Sequence, residues 1–349
     1  MGARCELIVE AMTDPDRSRA VRARRMTRRT PVWEAPAEVT DLMGDVSGNE
    51  LNGWGETDVR QPSLVMWANP AKLAHGSVQQ KMTDEFLAHD ELRTVLRADD
   101  QHTPAEIAPE RVNRTPQEWD EAVKEVATGE AGHRVELVGI AQVQPEWFFE
   151  GRSSHLPSVV LLALAMDHAQ LATAPEHTSA MEVHRQYNRG TAAARALADW
   201  FRRQGFDAEG HGGPGAGPMQ MVPAAIAAGL GELGKHGSII NRQLGSSFRL
   251  AAVLTDAPLA PSKPDGFGVD DFCYGCRICT DACPPDAIAP DKRLVRGITK
   301  WAVDFDRCLP YFAESYGCGI CIAVCPWSIP GAAPRLAENM LRKQRRQDL

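Results

Sequence analysis

Outside Cys273–Cys325 the chain has one cysteine, Cys5, so sulfur chemistry is confined to one stretch. Long apolar runs are also missing. The longest, Val159 to Met166, falls far short of the ~20 residues that a membrane-spanning helix needs. There is no excess of positive charge: 38 Lys+Arg face 46 Asp+Glu, for a formal net charge of -8. That balance, with a pI near 5.7, argues against a general nucleic-acid binder. An arginine cluster does occur, Arg17, Arg19, Arg22, Arg24, Arg25, Arg28 and Arg29. A twin-arginine export signal would need an apolar stretch after Arg24-Arg25, and Thr-Arg-Arg-Thr-Pro follows instead. The expectation is a cytoplasmic protein whose basic arm is solvated. What remains is a chain of 349 residues, 43% hydrophobic, enough for two domains or one domain with an appendage.

The other eight cysteines form two runs. The first is Cys273-Tyr-Gly-Cys276-Arg-Ile-Cys279-Thr-Asp-Ala-Cys283-Pro284. The second is Cys308, then Cys318-Gly-Ile-Cys321-Ile-Ala-Val-Cys325-Pro326. Thiolates at C-x2-C-x2-C-x3-C-P spacing hold [4Fe–4S] clusters, because a tight loop supplies three ligands and the last cysteine turns outward to the other cluster. That exchange assigns Cys273, Cys276, Cys279 and Cys325 to a first cluster. It assigns Cys283, Cys308, Cys318 and Cys321 to a second, with Cys308 standing in for the missing first member of its loop. Disulfides are disfavoured because nothing marks the chain as secreted. Zinc would want four-ligand knuckles rather than two runs each closed by proline.

In chain order, residues 1–60 look irregular, mixing the arginine arm with an acidic, glycine-rich stretch. Helices are expected at Met82 to Leu96 and Trp119 to Ala127, the latter closed by Gly129. Val135 to Val143 alternates as a strand, and the eight-residue apolar run reads as a buried strand. A long helix is expected from Ser179 to Gln204, capped by Gly205. The glycine-rich loop Gly210 to Pro218 leaves its backbone free to approach something flat and large. A short helix, Val222 to Gly229, opens near Pro223, and a strand spans Arg249 to Thr255. Strands alternating with helices indicate an α/β layer. Pro258, Pro261 and Pro264 link it to the cysteine module, and Arg342 to Arg346 form a basic tail. His168, His177, His184, His211 and His236 lack metal-ligand spacing. Trp147 and Phe148 are candidates to line an apolar pocket.

Three further segments precede the cysteines: Ala227-Ala-Gly-Leu-Gly-Glu-Leu-Gly-Lys-His-Gly237, Leu244-Gly-Ser-Ser-Phe-Arg-Leu250 and Thr255-Asp-Ala-Pro-Leu259. In this order, with the double cysteine run, the chain resembles the reductive dehalogenases from about Val135 to Pro330. It is more distantly similar to epoxyqueuosine reductase. The resemblance implies an α/β (α+β) fold, with a nitroreductase-like cobalamin-binding domain over 61–262. A bacterial two-[4Fe–4S] ferredoxin-like domain over 263–335 follows, between an arm at 1–60 and a basic tail at 336–349. It implies a corrinoid, held through backbone groups at Gly213, Gly215, Gly217, Gly229, Leu230 and Gly231. Gly229 and Gly231 would serve equally as a helix cap and turn. It also places a proton-donating tyrosine at Tyr187 and a neighbouring cation at Arg249, where a cation near a phenol favours the phenolate. The same two residues could be a core tyrosine and a surface-paired arginine.

The expected partners are a ferredoxin or flavodoxin donor and a small organohalide. The expected reaction is reductive dehalogenation, with electrons relayed through both clusters to cobalt. Two alternatives stay open. One is an epoxyqueuosine-reductase-like tRNA-modifying enzyme, for which Asp207 and Glu209 provide no convincing acid. The other is a corrinoid-free electron-transfer protein.

Overall fold

The computed structural model describes residues 31–96, 102–213 and 217–347. Cys5, the arginine cluster and Gly215 lie outside them.

The centre is a four-stranded sheet in the order β1-β2-β6-β3, with β1 Leu137–Gln142, β2 Ser158–Ala165, β3 Ala208–His211 and β6 Phe248–Thr255. Every pairing in it is antiparallel, and a separate small hairpin pairs β4 Glu232–Leu233 with β5 Ile239–Ile240. The expected α/β layer is therefore corrected to α+β, since strand–helix alternation alone does not set strand direction. The apolar run is a central strand for a physical reason: both faces of the sheet are covered. Val160, Leu162 and Leu164 meet Ala194, Leu197 and Phe201 of the helix His177–Arg203, together with Trp119 and Val123 of the helix Pro116–Thr128. Val159, Leu161 and Ala163 face the other way, onto Phe148, Met219 and the short helix Met221–Ala227. Pro223 is the third residue of that helix rather than its first.

Helix 116–128 starts where Thr115 and Glu118 form a reciprocal capping box around Pro116. The single helix expected over Met82 to Leu96 is two, Gly76–Ala88 and Asp90–Leu96. His89 turns to an extended ψ of 117° between them.

The cysteine module follows the proline linker. It contains the helices Val269–Gly275, Ile278–Ala282, Phe305–Glu314 and Ile320–Ala323, a hairpin of β7 Arg293–Val295 and β8 Ile298–Lys300, and the helix Ala332–Gln347. The basic residues expected as a tail are the last turn of that final helix. Its inner face, Leu336, Ala337 and Met340, packs beside Phe267, Phe272 and Trp327.

The arm expected to be irregular carries two short helices, Ala37–Met43 and Gly48–Leu51, and is bound to the module. Asp306 accepts from Ser47 Oγ and from the Gly48 N–H, both at 2.6 Å. Asn49 donates to Asp304 at 2.9 Å and accepts from the Phe305 N–H at 2.8 Å. The Trp33 N–H donates to Pro284 O at 3.0 Å, and the Trp33 ring stands edge-on to Tyr311.

Candidate active site and cluster shells

No disulfide joins any of the eight cysteines of the module. Cys273 lies in one helix, Cys276 directly follows it, Cys279 lies in the next helix and Cys283 ends it. Electrostatic proximity divides the eight into two groups. Cys325 feels chiefly Cys273, Cys276 and Cys279. Cys321 feels Cys318, Cys308 and Cys283. One cross-contact, Cys279 with Cys321, is where the two shells face each other.

Burial, reinforced by neighbouring sulfurs, pushes Cys273 and Cys308 up to about 12. Burial likewise pushes Cys318 up to about 11, against bonds from nearby backbone N–H groups. Cys276, Cys279, Cys321 and Cys325 move the same way, mainly through burial. Thiolates gathered without counter-charge are unstable, and iron supplies that charge. Two groups of cysteine sulfurs, four to a group and each drawn from both runs, are the donor set that two [4Fe–4S] clusters take.

Tyr316, Gly317, Cys318 and Gly319 all have positive φ, between 48° and 88°. For Tyr316 and Cys318 this is a sparsely populated conformation, of the kind held in place by a ligand loop's function.

A cavity of about 280 Å³ opens where β6 begins. Its walls include Trp67, Phe149, Met219, Met221 and Phe248, with Tyr187, Arg249, Gln220 and Ser238 among its polar residues. The Arg249 guanidinium sits 5.4 Å over the Tyr187 ring, so the two expected residues are brought together. Arg249 has no ion-pair partner among the described residues, and its Nε is buried without a hydrogen bond. His184 packs edge-on to Tyr187, and burial, then the Arg249 charge, lowers its pKa to about 4. The imidazole is thus neutral, and Arg249 is the cation at the phenol.

The glycines divide. Gly213 and Gly217 line the cavity. Gly229, Leu230 and Gly231 do not. Gly229 follows the Met221–Ala227 helix at φ 75° with its backbone against Lys263 O. Leu230 is a core residue, and Gly231 abuts Ile240 O. Even Gly213 has an internal reason: a Cβ there would come within 2.1 Å of Tyr187 Cβ. Gly213→Ala should therefore displace Tyr187. The expected loss is about 1–3 kcal/mol of stability, read by denaturant unfolding of the metal-loaded chain.

The cavity is at the small end for a drug-sized ligand, and a corrinoid is far larger. Of the positions expected to hold it, Gly229, Leu230 and Gly231 serve internal packing, Gly213 and Gly217 border the cavity, and Gly215 lies outside the described residues. Trp147 and Phe148 are core, and their neighbour Phe149 faces the cavity instead. Sequence reasoning missed Trp67, Met219 and Met221, since apolar side chains give no signal that distinguishes a wall from a core. It also missed Lys235, which is buried beside Cys273 and Cys276.

Residues 272–329 match the family model of the 4Fe-4S dicluster domain. A tetrachloroethene reductive dehalogenase of Desulfitobacterium hafniense is 34% identical over 212 residues, covering 57% of this chain and 38% of that one. The Sulfurospirillum multivorans enzyme of the same name is 34% identical over 181 residues, covering 49% of this chain and 35% of that protein. An epoxyqueuosine reductase of Leadbetterella byssophila matches a shorter stretch, 35% identical over 121 residues, covering 30% of this chain and 35% of the relative.

A solved catabolic reductive dehalogenase superposes with a TM-score of 0.69 at 22% identity, over 88% of this chain and 48% of the other. That enzyme in complex with 3-bromo-4-hydroxybenzoic acid gives 0.62 at 24% identity, over 78% of this chain and 40% of the other. The fold is thus shared, while the chain spans well under half the length of the curated relatives it matches. Through its antiparallel sheet and its paired cysteine runs, the chain resembles the reductive dehalogenases and carries their kind of iron–sulfur module.

Proposed function

We propose that the chain is an iron–sulfur oxidoreductase that replaces halogen by hydrogen on a small organohalide. The observation that carries this is an unpaired Arg249 stacked on Tyr187 at the wall of an apolar cavity. Reductive dehalogenation consumes two electrons and one proton and releases halide. Two clusters, when bound, pass electrons singly. Tyr187, on the cavity wall, is suited to deliver the proton from its Oη, and the resulting phenolate would rest beside the guanidinium.

The same cation suits a substrate with an acidic group. An aromatic ring would lie against Phe149, Phe248 and the methionines while a carboxylate or phenolate meets Arg249. One solved relative was bound to such a molecule, a bromo-hydroxybenzoic acid. The remaining parts of the reading come from the resemblance: a nitroreductase-like scaffold for the sheet, a cytoplasmic setting, and a ferredoxin or flavodoxin donor. A corrinoid belongs to it too. One relative's structure is described as suggesting a mechanism for B12-dependent dehalogenation. Three of the six positions expected to hold it pack elsewhere in the chain, so its place in the reading rests on the resemblance alone.

The test is halide release by the anaerobically iron-loaded chain under a strong reductant, with and without added cobalamin. A brominated hydroxybenzoate should be turned over with a lower KM than its methyl ester. Absence of halide from every substrate in both conditions overturns the proposal.

A further inference from the structure

Lys235 is 2% exposed, an unusual burial for an ammonium group. Its Nζ donates to Cys276 O at 2.9 Å and lies 4.8 Å over the Trp301 ring. Its backbone N–H points at Cys273 Sγ, 3.4 Å away. No carboxylate pairs with it among the described residues. Two that act on these cysteines, Asp270 and Asp281, are engaged elsewhere. Asp270 meets Lys292 at 2.7 Å and Trp301 Nε1 at 2.8 Å, and Asp281 meets Arg277 at 3.1 Å.

A buried cation needs a counter-charge. Burial works against the charge on Lys235, and the group that opposes this is the set of thiolates around the first cluster, Cys279, Cys276 and Cys273. We propose that Lys235 tunes the first cluster, its fixed charge holding that cluster's reduction potential up against the burial of its four cysteines. A four-thiolate cubane is anionic in both states and gains one further negative charge when it accepts an electron. Burial alone disfavours that gain, and a neighbouring cation favours it. The step is a single electron transfer from an external low-potential donor. No bond forms or breaks. The inference rests on the dicluster reading of residues 272–329 and is independent of dehalogenation.

The experiment is an EPR-monitored redox titration, with dithionite as reductant, of the full chain loaded with iron and sulfide. Lys235→Met should lower one of the two midpoints and leave the other in place. We expect at least a tenfold change in the reduced-to-oxidised ratio at a fixed potential, which for one electron is about 59 mV. Lys235→Arg should restore it. Lys235→Gln keeps a donor toward Cys276 O but carries no charge, so it should behave as the Met variant and serves where Met fails to retain iron. If the Gln variant keeps the wild-type midpoints, Lys235 is only a clamp on the Cys276 loop and the proposal is wrong. It is equally wrong if both midpoints fall together.

Discussion

Replacing Cys325 by alanine removes the cluster held by Cys273, Cys276 and Cys279, although Cys325 belongs to the other run. The reason is the exchange of fourth ligands: Cys325 is fully enclosed with those three sulfurs rather than with Cys321. The variant should retain about four of about eight irons per chain. The companion, Cys283→Ala, should cost the opposite cluster, because Cys283 faces Cys318, Cys308 and Cys321. Iron and acid-labile sulfide analysis, with EPR of the reduced variants, reads both. If Cys325→Ala instead spoils the cluster of Cys318 and Cys321, each run serves its own cluster and the exchange is refuted. Thermal stability should fall as well, since metal binding here is coupled to holding four separate chain segments together.

Tyr187→Phe should reduce halide release by about 10²- to 10⁴-fold, the usual contribution of a positioned proton donor. Iron content and the cluster spectra should not change. Among the described residues the hydroxyl makes no hydrogen bond that holds the helix, whose buried contacts include Ala194, Leu197 and Phe201 further along. Comparable turnover in the Phe variant would transfer the proton's source to water or to another group. Arg249→Gln separates two roles for the cation. If it only holds an acidic substrate, KM rises while kcat stands; if it also stabilises the phenolate, kcat falls too.

The cysteine runs were legible because ligand spacing is local: one short loop must place three sulfurs around a fixed object. Val159 to Met166 was legible because a strand covered on both faces cannot alternate. Strand direction was not, since it depends on which edges meet, and β6 reaches both β2 and β3 from far along the chain. The cavity wall was misjudged by one residue. Whether Phe148 or Phe149 points inward is decided by the turn after Pro145, which periodicity cannot register. The glycine loop invited a ligand, but in the folded chain Gly213 makes room for the chain's own tyrosine. Lys235 was passed over because lysine is ordinarily a surface residue, and only the fold reveals what it faces.

The bonds from Ser47, Gly48 and Asn49 to Asp304 and Asp306 span 255 to 259 residues of sequence. The earlier segment must therefore wait for one that is made about 255 residues later. Until the Phe305–Glu314 helix emerges, the surface that will meet it stays uncovered, which slows completion of the fold and lengthens its exposure to aggregation. A protease cut within the proline linker would for the same reason not release the cysteine module as a separate fragment, because its other tether runs back to the beginning of the described chain.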